Sequence, residues 1–239
     1  LDMMEKKPFL EALIITSDAI VCWANRYADF AEEQADLSGD EKRKKELQKI
    51  ASICRKVPEY PAENFYEGVQ SQWFTQMFSR IEQKTGTTIS NGRMDQYFFP
   101  YYQKDKAEGK ITDAQAMELL ECMWVGMAEF IDMYISPTGG AFNEGYAHWE
   151  AVTVGGQTPD GQDAVNKLSF LVLKSIGQTR LPQPNLTVRY HRNLNQAFMN
   201  EALEVLKLGT GMPAFNSDEV IIPSFIEKGV KKKDAYNYS

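Results

Sequence analysis

Two histidines, three cysteines and one glycine-rich aromatic loop hold most of the reactive chemistry in this 239-residue chain. A histidine can act as acid or base near neutral pH and a thiolate as nucleophile or ligand. His148 stands in "YAHWE", beside Trp149 and near Glu150. That setting suits a packing histidine, or an acid–base group at the edge of a pocket. His191 follows a β-rich run between Arg189 and Arg192, which suits a hydrogen-bonded or surface role. Neither histidine has a carboxylate or second histidine at metal-ligand spacing. Cys22, Cys54 and Cys122 are far apart, with no CxxC among them. An odd, scattered count argues against metal binding and against a disulfide framework. All three sit in apolar helical patterns and are expected to be buried, inert thiols.

The loop "GGAFNEGYAHWE" (139–150) is more suggestive. Its glycines, Asn143 and Glu144 lie among aromatics just before a β run, as in a loop that lines a pocket, although surface turns also carry such residues. Arg93 and Asp95 in "NGRMDQY" could pair with each other or cap a helix. "VGGQTPDG" (154–161) follows a strand pattern but lacks the lysine of a phosphate loop and reads as a turn. No GxGxxG follows a strand, and no P-loop or HExxH occurs, so a conventional oxidoreductase or hydrolase has no motif to rest on.

The elements that must position these residues change character along the chain. Apolar residues recur at helical spacing from about 9 to 36 (Leu10, Leu13, Ile14, Val21, Ala24, Ala28, Ala31). "SGD" at 38–40 breaks the pattern, and further helices are expected to about Lys56, over 62–82 and over 111–135, the last capped by Thr112 or Asp113. From 136 the pattern becomes strand (148–156), helix (to 177), strand (184–191), helix (195–211), strand (212–216) and helix (218–229). That alternation predicts parallel βαβ units, buried on both faces, with sites at the strands' carboxyl ends. In "LPQPNLTVRYHR" (181–192), Pro182 and Pro184 argue against helix and against the start of a central strand. Along the strand, Asn185, Thr187 and Arg189 alternate with Leu186, Val188 and Tyr190, which makes one face polar.

A net charge of −7 and a pI near 5.1 argue against nucleic-acid or anionic-membrane binding. No apolar run is long enough to span a membrane, and no signal peptide is visible. Reduced cysteines fit a cytoplasmic location. The chain starts at Leu1 as if mid-helix and stops at Ser239 without a cap, which predicts an internal fragment of a longer protein.

Together, "NGRMDQYFFPYY", "HWEAVTVGGQTPDG", "LPQPNLTVRYHRN", "LGTGMPAFNSDEVIIPSFIEKGV" and "DAYNYS" resemble the glycyl radical enzymes, in the pyruvate formate-lyase-like branch of dehydratases, lyases and decarboxylases. The likeness runs over about residues 60–239. It implies an α/β fold: part of a ten-stranded α/β barrel with a large helical N-terminal portion. Residues 1–239 would form one internal fragment of that domain, 1–135 mainly helical and 136–239 a βαβ barrel segment. It also implies an oxygen-sensitive glycyl radical lyase, dehydratase or decarboxylase, or a formate acetyltransferase-like enzyme, that cleaves a C–C, C–O, C–N or C–S bond of a small organic substrate by thiyl-radical hydrogen abstraction. The radical glycine would be installed after translation by a radical S-adenosylmethionine activating enzyme. No other cofactor is implied, and the parent would be a homodimer. The thiyl cysteine and the radical glycine would lie beyond Ser239, which leaves the fragment no catalytic residue and no activity of its own. By the same resemblance Asn143, His148, Trp149, Thr88 and Asn91 would contact substrate. "TTISNG" lacks the His-Ser of glycerol-type dehydratases, and "HW" replaces the Asp-Phe of hydroxyproline dehydratases. The alternative is a non-catalytic α/β interaction module derived from this fold.

Overall fold

A computed structural model of the chain describes residues 2–83, 89–129 and 150–239. They form two compact units, one up to Phe78 and one from Ser79 onward.

The first unit is helical. Helix α1 (Asp2–Leu37) turns through Ser38–Asp40 into α2 (Glu41–Lys56). Asp40 caps α2 by accepting the Lys42 N–H at 2.8 Å. Ala24, Ala28, Ala31 and Ala35 form a buried small-residue stripe that lets α2 approach closely through Ala51 and Cys54. Arg55 closes the hairpin on Asp29 and Glu32. The first part of α3 (Phe65–Gln83) adds Phe74 to this core.

The second unit holds a three-stranded parallel sheet, ordered β1 (Ala151–Gly155), β2 (Asn185–Tyr190), β3 (Ala214–Ser217). Gly92 adds a parallel bridge beside Val152. The connections are the expected helices, α7 (Lys167–Thr179) and α8 (Gln196–Leu206). Val152, Val154, Leu186 and Val188 point to one face, fully buried in a core with Leu168, Val172, Leu173 and Phe198. Trp124, on α6 (Asp113–Ala128), is buried and donates its indole N–H to Ser175 on α7 at 2.7 Å. The aromatic stretch after Gly92 becomes α4 (Met94–Tyr97) and α5 (Phe99–Ala107). Pro100 sits in the first turn of α5, where its missing N–H costs nothing. Helices α9 (Asp218–Glu227) and α10 (Lys232–Tyr236) follow β3.

Three expectations need correction. The proline pair does not keep β2 from the centre of the sheet. Pairing starts at Asn185, whose N–H bonds the Glu150 carbonyl at 2.7 Å, one residue past Pro184, so neither proline owes the ladder a donor. The cysteines are not uniformly buried: Cys54 is, and burial pushes its thiol up to about 11, but Cys22 and Cys122 face outward from their helices. Finally, the described residues cover the two faces of the sheet unequally: on the polar face Thr153 and Arg189 are buried. On the face of Asn185 and Thr187, both side chains are half-buried and Ala214 and Asn216 are exposed. The other face, with Val152, Val154, Leu186 and Val188, is the one fully buried along the strands.

Candidate functional site

The chemistry of the second unit gathers where the three strands end. β1 closes on Gly155 and Gly156, both at positive φ. The Gly155 N–H donates to Asp95 Oδ2 at 2.8 Å, and its carbonyl accepts from Arg93 Nη2 at 2.9 Å. A Cβ on Gly156 would lie 2.5 Å from the Nε of Arg189, so the missing side chain is the space the guanidinium occupies. β2 supplies that Arg189, fully buried. β3 runs directly into Asp218, the first residue of α9, also buried.

Arg189 and Asp218 form a two-point ion pair, Nε to Oδ1 at 2.7 Å and Nη2 to Oδ2 at 3.0 Å. The same guanidinium donates to the carbonyls of Tyr238 (2.8 Å) and Tyr236 (3.0 Å). Its Cζ lies 3.9 Å from the ring centroid of Tyr238, a cation–π contact, and the Tyr238 hydroxyl donates to Asp218 at 2.7 Å. Arg93 reaches the Tyr236 carbonyl at 3.3 Å. Residues 236–239 therefore cross the strand ends as a strap, and Ser239 finishes against Gly92.

Electrostatics follow from closure. Burial raises the Asp95 carboxyl, while its bonds from Gly155 and Ser169 (2.6 Å) and the charge of Arg93 hold it down. Burial and the nearby Arg189 lower Arg93. Burial, then the bond to Asp218, lifts the Tyr238 phenol well above its ordinary range. Each of these side chains makes at least one ionic, side-chain or main-chain bond, which suits the cluster to holding the backbone. Arg93 and Asp95, left as a pair or a cap by the sequence, bond different partners: Arg93 the strap and Gly155, Asp95 the β1 turn and α7.

Near the other end of the strands is a concavity of about 370 Å³ on the polar face, lined by Ser90, Asn185, Thr187, Gly211, Met212 and Ala214 among others. It offers neutral hydroxyl and amide groups. Asn91 lies next to Ser90 and is buried; its N–H bonds the Ala151 carbonyl at 2.8 Å and its carbonyl accepts from Tyr97 at 2.9 Å. Thr88, Asn143, His148 and Trp149 lie outside the described residues, so Asn91 is the one expected contact residue with a described position. Glu150 is fully buried in an ion pair with Arg80 at 3.0 Å. His191 is buried with Nε2 3.3 Å from Asp163, whose other oxygen accepts the Asn195 N–H. This is the hydrogen-bonded role its sequence setting suggested. Among the described residues, no three His, Cys, Asp or Glu side chains converge as a metal site would require, and no helix is long and apolar enough to cross a membrane.

Arg189, Asp218 and Tyr238 were not singled out as site residues from the sequence. The available signal was an arginine in an otherwise buried strand pattern, with a glycine pair at the end of the preceding strand.

Comparison with known proteins gives a consistent picture. The pyruvate formate lyase-like family matches residues 1–239. The chain is 60% identical, over its whole length, to the isethionate sulfite-lyase of Desulfovibrio desulfuricans, of which it covers 29%. It is 34% identical over 98% of its length to the trans-4-hydroxy-L-proline dehydratase of Clostridioides difficile, covering 30% of that protein. Among solved structures, the glycerol-bound B12-independent glycerol dehydratase of Clostridium butyricum superposes with a TM-score of 0.92 at 40% identity, over 98% of this chain and 29% of that one. The chain thus spans about 30% of the length of the curated relatives it matches.

Proposed function

The chain belongs to the pyruvate formate lyase-like family, and from that premise we propose that it forms part of a glycyl radical lyase acting on a small hydroxyalkanesulfonate such as isethionate. The observation that carries this reading is the 60% identity to the isethionate sulfite-lyase, against 34% to the hydroxyproline dehydratase over nearly the same span. In this reading the C–S bond of 2-hydroxyethanesulfonate breaks, sulfite leaves, and the remaining two carbons become acetaldehyde. Atoms balance without an external oxidant, because hydrogen moves from the hydroxyl-bearing carbon to the carbon that loses sulfur and the hydroxyl proton leaves with sulfite as hydrogensulfite.

The three parallel strands would form one sector of the ten-stranded barrel, within a single domain spanning residues 1–239. Thr88, Asn91, Asn143, His148 and Trp149 would line the substrate pocket, with the aromatic ring of Trp149 as an apolar wall. The polar strand face, with Asn185 and Thr187, would face the barrel interior. The radical glycine and thiyl cysteine would be supplied by other parts of the whole protein, so the 239 residues alone would be inactive. The working enzyme would be a cytoplasmic homodimer, activated by a radical S-adenosylmethionine enzyme.

The test is an anaerobic assay of the whole protein with its activating enzyme. Sulfite and acetaldehyde are expected in equal amounts from isethionate, with no turnover of glycerol or trans-4-hydroxy-L-proline. A glycyl doublet in electron paramagnetic resonance should accompany activity and vanish in air. Dehydration of either alcohol without sulfite release would overturn the substrate reading, and absence of any radical would overturn the enzyme reading in favour of a non-catalytic module.

A further inference from the structure

We propose that Arg189 is a positioning residue: together with Arg93 it grips the main chain of Tyr236–Tyr238 and fixes the path the polypeptide takes to Ser239 and past it. The inference rests on the reading of the chain as part of a longer lyase.

The geometry supports a clamp on several counts. Arg189 makes four hydrogen bonds, two to Asp218 and one each to the carbonyls of residues 236 and 238. A guanidinium has five N–H donors in a fixed planar fork, and here its two sides serve different tasks. One side locks to a carboxylate at the end of β3, and the other reads backbone oxygens. Carbonyl recognition sets where the strap runs irrespective of its side chains. The Tyr238 ring and hydroxyl then fasten it to the same two charges.

Arg93 provides the second arm. Its Nη2 holds the Gly155 carbonyl at the end of β1 and its Nη1 the Tyr236 carbonyl, so the ends of β1, β2 and β3 and the strap are joined through two cations. Gly156 has no Cβ where the fork lies. The strap crosses the carboxyl ends of parallel strands, the place where α/β folds hold ligands, so a displacement there is transmitted to whatever follows Ser239.

The test uses the whole activated protein with Arg189→Lys and, as a milder change, Tyr238→Phe. Lysine keeps the charge but cannot span Asp218 and two carbonyls at once. Amide hydrogen exchange at residues 236–239 is expected to rise about tenfold in Arg189→Lys, with exchange in α7 unchanged. At equal glycyl-radical content, kcat should fall by about tenfold or more, with KM within about threefold. Tyr238→Phe should shift both readouts in the same direction by less. Unchanged exchange in folded Arg189→Lys would overturn the clamp. Loosened strap amides with wild-type kcat per radical would overturn the positioning role. Should the wild-type protein form no radical, the functional reading fails separately, and the exchange measurement still decides the clamp.

Discussion

Asp113 shows how one half-buried carboxylate can make stability depend on acid. Its carboxyl is held down to about 2, first by the bond from Lys106, then by the Tyr102 hydroxyl at 3.0 Å and by Lys167 at 3.3 Å. The folded pKa lies below the ordinary value of 3.8, so this carboxylate contributes stability that is fully present above about pH 4. The contribution fades as pH falls toward 2. Replacing Lys106 with Met should flatten that part of the acid dependence, as read by urea unfolding at successive pH values between 4 and 2. An unchanged slope would show that Lys106 does not hold the group. At the strand ends, residue chemistry was only half legible. The glycine pair at 155–156 read as a turn, which it is, but its purpose lies 33 residues later in Arg189. No local pattern announces that an arginine will need the space a Cβ would fill.

The helices were legible because their signals are local. Thr112 was one of two candidate caps for α6, and the structure selects it: Thr112 accepts the Gln115 N–H at 3.2 Å, while the Gln115 side chain accepts the Thr112 N–H at 2.9 Å. This reciprocal pair is a capping box. Asn166 does the same for α7, and its amide also donates to the Asp95 carbonyl at 2.8 Å, tying the helix start to α4. Thr112→Ala is therefore expected to cost about 1 kcal/mol, and Asn166→Ala more, since it breaks both cap and tie. Equilibrium denaturation of the two variants checks the order; equal losses would mean that the tie to Asp95 adds nothing. The strands were legible in place but not in pairing. Alternation put Asn185, Thr187 and Arg189 on one face, and the register bears that out, with Thr153, Thr187 and Ala214 side by side. That β2 is central, with its prolines just outside the ladder, depended on where β1 and β3 fall. Those partners are joined to it only by helical crossovers, so nothing within residues 181–192 reveals them.

At the scale of the whole molecule, helix α1 poses a problem of length. Its 36 residues run about 54 Å at 1.5 Å per residue, whereas the 16 residues of α2 cover about 24 Å. The hairpin therefore buries only the later part of α1, the alanine stripe from Ala24 to Ala35. The periodicity that predicted an apolar face as far back as Leu10 is real, but nothing described within the first unit covers its beginning. Leu10, Leu13, Ile14 and Ile15 are 47%, 48%, 60% and 68% exposed, and Phe9 beside them is 65% exposed. A contiguous apolar surface of this kind marks a site that another part of a protein covers, or one that associates when left bare. The relatives are more than three times as long as this chain, so covering structure is available in a protein of their length. The 239 residues expressed alone are therefore expected to bind an apolar dye and to self-associate with rising concentration, as measured by light scattering. Ile14→Glu should reduce both, because it breaks the patch at its centre without touching the alanine seam. In the whole protein the same substitution should lower the melting temperature, because there it would place a charge under cover. If Ile14→Glu leaves association of the isolated chain unchanged, the bare start of α1 is not the surface responsible. If it leaves the melting temperature of the whole protein unchanged, that surface stays open to solvent there as well.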